Sequence, residues 1–304
     1  MKLVTLTLNP AFDIHCEIGR FLPERENLIA AERRDIGGKG INISRALCEN
    51  GIANCALVVL GDENADTFRR GMDAVGLIDR RELTIPGRIR ENITIHPDSG
   101  SETRISFKGF SADASLLSRT LSLIAPDSDT LVTFTGSLPG GVPASAAEEF
   151  LASLKRAGVR IVIDSKSIPL DLLRRLRPWL IKPNAEEIEA YLGVRGEEEL
   201  IRAAASLHGY GIENALISLG GDGAILACGE GIFRARPPKI DAVSTIGAGD
   251  SMIAGFIAVN GDAPARLRRA IAYGSAACLR EGTNPPLAAD IARIEAQVEI
   301  TRLG

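Results

Sequence analysis

Ser244-Thr245-Ile246-Gly247-Ala248-Gly249-Asp250, followed by the apolar run Ser251-Met252-Ile253-Ala254-Gly255-Phe256-Ile257, is the stretch from which the rest of the chain is read. Glycines and a small residue just ahead of an aspartate predict a tight turn, and the apolar run behind them predicts a helix. The first N–H groups of such a helix point at whatever the turn encloses, which makes an anion hole with a carboxylate beside it. A carboxylate next to a bound phosphate is suited to deprotonating an attacking hydroxyl. The chemistry indicated is phosphoryl transfer, with Asp250 as base and the backbone N–H groups of Ala248, Gly249 and Asp250 as the hole.

Outward from this turn, apolar runs suited to buried strands recur along the chain. They cover Leu3 to Leu8, Cys55 to Leu60, Thr130 to Thr135, Arg160 to Asp164, Trp179 to Ile181 and Ala215 to Leu219. Between them lie helical patterns: Asn42 to Asn50, a segment through Phe68, Met72 and Val75 to Gly76, Ala144 to Ala157 and Asp171 to Arg177. Strands alternating with helices at this spacing predict an α/β fold around a mostly parallel sheet, with ligands beyond the carboxyl ends of the strands. Two segments break the rhythm, around Phe12 to Asp35 and Ile89 to Phe110. In the second, Asn92 to His96, a turn at Pro97-Asp98-Ser99-Gly100 and Glu102 to Phe107 predict a hairpin. The two segments together form either a small β lid over the crevice or surface decoration.

Composition narrows the partners. A chain of 304 residues, 45% hydrophobic, suffices for one large core with a small appended lobe. A net charge of -4 favours neither nucleic acid nor an anionic membrane. Five cysteines without ligand spacing read as small buried hydrophobes in a reducing cytosol, and three separated histidines offer little for zinc. With no signal peptide and no uninterrupted apolar stretch near membrane-spanning length, the expected location is the cytoplasm.

Further constellations surround the expected crevice. Ile36-Gly37-Gly38-Lys39-Gly40-Ile41-Asn42 sets glycines and a lysine at a helix start, for ligand contact or only for the turn. Asp13 follows the first strand and is able to accept hydrogen bonds from vicinal sugar hydroxyls. Arg88, Arg90, Arg104 and Lys108 lie on the arms of the hairpin, where guanidinium groups either grip a terminal phosphate or are simply solvated. Thr135 to Gly141, including Ser137, follows a strand directly. Lys182-Pro183-Asn184-Ala185-Glu186-Glu187 does the same, and Asn184 with Glu187 reads as a capping box, as a water-mediated magnesium site, or as both. Ser218-Leu219-Gly220-Gly221-Asp222-Gly223 joins a strand to a hairpin and admits an adenosine diphosphate moiety or a plain turn. A dinucleotide-binding oxidoreductase is disfavoured, because no G-x-G-x-x-G opens the first helix.

With those residues assembled, the chain resembles the ribokinase-like (PfkB) carbohydrate kinases over nearly its whole length, in particular the phosphosugar branch. Gly37 to Asn42 is similar to the family's N-terminal glycine signature, and Ser244 to Ser251 to its C-terminal one. Thr7-Leu8-Asn9-Pro10-Ala11-Phe12-Asp13, Gly136-Ser137-Leu138-Pro139 and Lys182-Pro183-Asn184 resemble the 1-phosphofructokinases and tagatose-6-phosphate kinases of that branch. The resemblance implies a single three-layer αβα kinase domain over residues 1–304, with a small β lid from about residues 12–36 and 88–110 that often helps form a homodimer. It implies Asp13, Asn42 and Asn92 on the sugar, and Gly38, Lys39, Arg90, Arg104 and Ser137 near the sugar and its phosphate. It implies Lys182, Asn184, Glu187, Ser218, Gly220, Gly223, Thr245, Gly247 and Gly249 around ATP, with Mg2+ held through water by Asn184 and Glu187. It also extends the anion hole of Ala248 to Asp250 back to Gly247. The activity implied is ATP-dependent phosphorylation of a phosphorylated ketohexose. Fructose 1-phosphate at its 6-hydroxyl leads; tagatose 6-phosphate and fructose 6-phosphate at the 1-hydroxyl are the nearest rivals, and a non-catalytic sugar-phosphate binder is more distant.

Overall fold

Apolar runs of five to seven residues are too short to make helices that bury themselves, so they pair as strands covered on both faces. The computed structural model describes residues 1–99 and 101–304. In chain order the first elements are β1 (Lys2–Thr7), β2 (Ala11–Ile18), β3 (Ala31–Gly37), α1 (Lys39–Glu49), β4 (Cys55–Gly61), α2 (Ala65–Ala74) and β5 (Arg80–Ile85). Next come β6 (Arg90–Pro97), β7 (Thr103–Ile105), α3 (Ser115–Ile124), β8 (Thr130–Thr135), α4 (Ala144–Arg156), β9 (Arg160–Asp164), α5 (Leu170–Leu176) and β10 (Leu180–Ile181). The chain ends with α6 (Ala185–Leu192), α7 (Glu197–Gly209), β11 (Asn214–Ser218), β12 (Ala224–Cys228), β13 (Gly231–Arg236), α8 (Ala248–Ile257), α9 (Ala263–Ala277), α10 (Ala288–Glu295) and β14 (Glu299–Arg302).

The larger sheet has the order β14-β13-β12-β11-β10-β9-β8-β1-β4-β5. From β5 to β11 all pairings are parallel, and β12, β13 and β14 add antiparallel strands at one edge. The order reverses at β1: β4 and β5 lie to one side, and β8 to β11 to the other. At such a switch point the loops diverge and leave a crevice at the carboxyl ends. Two cores flank the sheet. One gathers Phe68, Phe134 and Phe150; the other joins Phe256, Leu267 and Ile271 of α8 and α9 to the opposite face. Helices on both faces of a mostly parallel sheet make the expected αβα sandwich.

The second sheet, β3-β2-β6-β7, is the lid. Its register sets Asp13 opposite both Asp35 and Asn92, and Arg104 opposite Thr94, so these polar residues share one face. Phe12, Ile14, Cys16 and Ile36 take the other face and enter the first core, where Phe12 meets the ring edge of Phe68 at 5.1 Å. Alternation along each strand thus seats the lid on the body and turns its polar side to the crevice.

Three details differ from expectation. Helix α1 begins at Lys39 rather than Asn42, because Gly38 (φ 132°) turns the chain from β3 straight into the helix. Val75 lies at the end of α2 and is exposed, whereas Phe68 and Met72 are buried as expected. Strand β7 stops at Ile105, so Ser106 and Lys108 lie beyond it and are not set on its face. Gly100, the last residue of the expected hairpin turn, lies outside the described residues. No helix among the described residues is long and apolar enough to cross a membrane.

Phe256 is fully buried and meets the edge of Trp179 at 5.7 Å. Phe256→Ala is expected to cost about 3–5 kcal/mol by leaving a cavity under α8. Chemical denaturation of the two proteins checks this, read as a fall in the unfolding midpoint.

Candidate active site

The turn at Ser244–Gly247 feeds α8 as its residue types dictate. Ser244 Oγ accepts from the Ile246 N–H at 3.2 Å. Gly247 adopts φ 77°, a left-handed conformation that a side chain disfavours, and its carbonyl accepts the Ser251 N–H at 2.9 Å to start the helix. Ala248 N–H folds back to Thr245 O at 3.3 Å. The open donors at this helix mouth are therefore those of Gly247, Gly249 and Asp250, which have no partner among the described residues.

Asp250 sits in the first turn of α8 and is only 6% exposed. Asn42, in the first turn of α1, donates its side-chain amide to Asp250 Oδ2 at 2.8 Å. Two helix N-termini thus meet across one hydrogen bond, and α1 packs directly on α8. Burial pushes the Asp250 carboxyl up to about 6, and Asp164 adds to the rise. Lys39, the Asn42 hydrogen bond and Lys182 act in the opposite sense.

Asp164 closes β9 and is buried between two lysines, with Lys39 Nζ at 2.9 Å and Lys182 Nζ at 3.7 Å. Burial opposes the charge on Lys39, yet Asp164, Asp250 and Glu187 together hold its ammonium above the usual value. Lys182 Nζ lies 3.1 Å from where a Cβ on Gly249 would stand, so the ammonium rests against the helix mouth. Lys39, expected beside Arg90 and Arg104, therefore makes its ion pair at the Asp250 end of the cleft.

The lid supplies the other end. Arg104 approaches Asp13 at 3.4 Å, and Asn92 donates to the same Asp13 oxygen at 3.0 Å. Arg90 donates to Phe107 O and Asn9 O at 3.2 and 3.1 Å. Burial lowers the pKa of Arg90 against the pull of Asp13, with Arg104 adding repulsion. Arg104 alone is paired with the carboxylate of Asp13, while Arg90 is held by two backbone carbonyls. Two guanidinium groups with a single carboxylate nearby favour an anionic guest. Ser137, just past β8, accepts from Asn9 Nδ2 at 3.2 Å. Arg88 and Lys108 are exposed and stand apart from the cleft lining, so the hairpin contributes two cations to it rather than four.

A glycine wall and a capped helix flank the remaining side. Strand β11 runs through a 3₁₀ turn at Gly220–Asp222 into β12, the expected strand-to-hairpin join. Space is open around Gly220 and Gly221, where a Cβ would meet nothing within 4 Å. The Ser218 N–H donates to Pro183 O at 3.0 Å, tying this wall to α6. Asn184 and Glu187 form a full capping box: Asn184 Oδ1 accepts the Glu187 N–H at 2.7 Å, and Glu187 Oε2 accepts the Asn184 N–H at 3.0 Å. Glu187 lies beside the main cleft, in a narrow hollow with Asp164 and Tyr191. Among the described residues no cluster of three or more His, Cys, Asp or Glu could hold a metal directly. The residues fit a cation carried by a ligand and reached only through water, since Glu187 Oε2 is taken by the box and Oε1 lies 3.7 Å from Lys166 Nζ.

All of this surrounds one cleft of about 1490 Å³. It is lined by Asp13, Gly38, Lys39, Asn42, Arg90, Asn92, Arg104, Ser137, Lys182, Asn184, Ser218, Gly220, Gly223, Thr245 and Gly247 to Asp250. Of the expected site residues, Glu187 stands outside that lining, as do Arg88 and Lys108. Thr7 Oγ1, Asn42 Oδ1, Asn92 Oδ1 and Thr283 Oγ1 face the buried side of the cleft without protein partners, as a site for a polar ligand requires. Asp164 and Asn9 join the site without having been singled out. For Asp164 the signal was present, a carboxylate placed directly after the buried Ile161-Val162-Ile163 at the crevice end of a strand.

The chain matches the model of the "pfkB family carbohydrate kinase" over residues 9–290. It is 35% identical over 263 residues to the 1-phosphofructokinase of Rhodobacter capsulatus, covering 84% of this chain and 83% of that one. It is 34% identical to the 1-phosphofructokinase of Escherichia coli K12, covering 97% and 98%. Among solved structures, phosphofructokinase-2 of Escherichia coli in complex with substrates and products superposes with a TM-score of 0.91 at 25% identity, covering 98% of this chain and 99% of that one.

The raised Asp250 carboxyl has a consequence for stability. A group lifted in the fold from 3.8 to about 6 favours folding when protonated, fully so below pH 3.8, and that contribution is lost as pH rises through about 6. Asp250→Asn is expected to stabilise the free protein by up to about 3 kcal/mol at pH 8 and hardly at all at pH 4. Denaturation curves at the two pH values decide it; equal effects at both would contradict a buried, elevated carboxyl.

Proposed function

This chain belongs to the pfkB family of carbohydrate kinases, and from that premise we propose that it phosphorylates a phosphorylated ketohexose with ATP. The leading substrate is fructose 1-phosphate, phosphorylated at its 6-hydroxyl to give fructose 1,6-bisphosphate and ADP. One observation carries the reading: a single cleft holds a buried carboxylate at a helix mouth at one end and a guanidinium pair at the other. The similarity to two bacterial 1-phosphofructokinases supports the choice of sugar.

The residues divide the work. Arg90, Arg104 and the Ser137 hydroxyl bind the phosphate already on the sugar, while Asp13 and Asn92 orient its hydroxyls. Asp250 accepts the proton of the attacking hydroxyl as its oxygen bonds to the γ-phosphorus and the bond to the ADP oxygen breaks. The Gly249 and Asp250 N–H groups, with Lys39 and Lys182, offset charge on the transferring group. Gly220, Gly221, Gly223, Ser218 and Thr245 give the nucleotide its wall. Magnesium bound to the nucleotide phosphates would supply further counter-charge, and Asn184 and Glu187 are the residues that would reach its waters. Closure of the lid sheet over the sugar excludes water that would otherwise take the phosphoryl group.

The test is a side-by-side assay of ATP-dependent turnover on fructose 1-phosphate, tagatose 6-phosphate, fructose 6-phosphate and free fructose. Fructose 1-phosphate is expected to have the highest kcat/KM; brisk turnover of free fructose with failure of every phosphosugar would overturn the reading. Asp250→Asn should lower kcat by about 10²–10⁴-fold with little change in either KM. In wild type, kcat/KM should fall as pH drops below about 6, where Asp250 gains its proton.

A further inference from the structure

Asn9 lies two residues past the end of β1 at the crevice and is 6% exposed, and the chemistry described so far gives it no part. Its side chain lies where three chain segments meet. Nδ2 donates to Lys108 O at 3.0 Å in the segment returning from the lid, to Ser137 Oγ at 3.2 Å, and at the limit of bonding distance to Leu138 O at 3.5 Å. Its own carbonyl accepts from Arg90 Nη2 at 3.1 Å, while Arg90 Nη1 goes to Phe107 O at 3.2 Å, one residue before Lys108. Gly109 closes the arrangement at φ +83°. A Cβ there would stand 2.6 Å from Asn9 Oδ1 and 3.4 Å from Arg90 Cδ, so only glycine lets the returning segment lie this close.

The partners fix which way the amide points. Lys108 O is a pure acceptor, so the nitrogen of Asn9 must face it. The same nitrogen then donates to Ser137 Oγ, and a hydroxyl has one hydrogen of its own to give. With its lone pair engaged by Asn9, Ser137 keeps that hydrogen for an acceptor in the cleft. A phosphate oxygen only accepts. Arg90, with two of its N–H groups occupied by Asn9 O and Phe107 O, is held in one pose with its others free for the same guest.

We infer that Asn9 is the positioning residue of the anion end of the cleft, holding Arg90 and Ser137 in one frame and setting Ser137 as a hydrogen-bond donor. The inference rests on the reading of that end as the seat of the sugar phosphate. The carbonyl contact to Arg90 survives substitution at Asn9. A side-chain change therefore acts on Ser137 directly and on Arg90 through the segment carrying Phe107 O.

The experiment compares wild type, Asn9→Ala and Asn9→Asp, varying fructose 1-phosphate and ATP in turn, with melting curves on each protein. Asn9→Ala is expected to raise KM for fructose 1-phosphate about tenfold, the size of one lost hydrogen bond to a charged group, with KM for ATP unchanged. Asn9→Asp should raise it further, because a carboxylate captures the Ser137 hydrogen, and this step should shrink in a Ser137→Ala background. Should the alanine variant fail to fold, the near-isosteric aspartate carries the test. Unchanged KM for fructose 1-phosphate in the variants, or a rise matched by KM for ATP, overturns the role of Asn9 while leaving the functional reading intact. Wild-type protein that turns over no phosphosugar overturns the functional reading, and the inference with it.

Discussion

A carboxylate kept out of water between two helix N-termini is the constraint on which this molecule is organised. Asp250 on α8 and Asn42 on α1 meet at 2.8 Å, and Lys39, Lys182 and Asp164 gather around them. Burying such a charge is costly unless it is paired and hydrogen-bonded. Here the compensation comes from groups that a phosphoryl-transfer site also needs. The same burial lifts Asp250 to about 6, a value at which a carboxylate is a better base and is still ionised at neutral pH.

The sheet explains why these groups converge. Thr7 to Asn9, Thr135 to Ser137, Asp164, Lys182 and Ser218 are all carboxyl-end positions of neighbouring parallel strands, and all but Lys182 close or directly follow a strand of five or more residues. Strand order reverses at β1, and the cleft opens there. The lid then adds residues that no parallel strand supplies. Its alternation sends Phe12, Ile14 and Ile36 into the core and leaves Asp13, Asn92 and Arg104 facing the crevice. One polypeptide pattern therefore fixes both ends of a cleft whose chemistry requires a set distance between them.

Much of this was legible in the chain itself. The strands from Thr130 to Thr135 and Arg160 to Asp164 form with the expected bounds, because short β-branched runs bounded by turns have few alternatives. The two glycine signatures placed α1 and α8, since their positive-φ glycines and small residues admit little else. What escaped was long-range pairing. The glycine signature sets Lys39 at a helix start but says nothing of Asp164, which lies 125 residues away and claims its ammonium. Glu187 could be read as cap or as ligand; the box forms, and its other carboxylate oxygen lies 3.7 Å from Lys166 Nζ, a partner that local sequence does not show. Nothing local marks Asn9 out, because its partners, at positions 90, 108 and 137, belong to three segments that only the fold unites.

The central claim is spatial: the phosphate of the sugar lies at the lid end and the reacting hydroxyl at Asp250. A crystal structure of the protein with fructose 1-phosphate and a non-hydrolysable ATP analogue tests it most directly. The account predicts the sugar phosphate against Arg90, Arg104 and Ser137, with the 6-hydroxyl within hydrogen-bond reach of an Asp250 oxygen and the γ-phosphate before the Gly249 and Asp250 N–H groups. A sugar bound the other way round, with its phosphate at Lys39 and its free hydroxyl among the lid arginines, would contradict it.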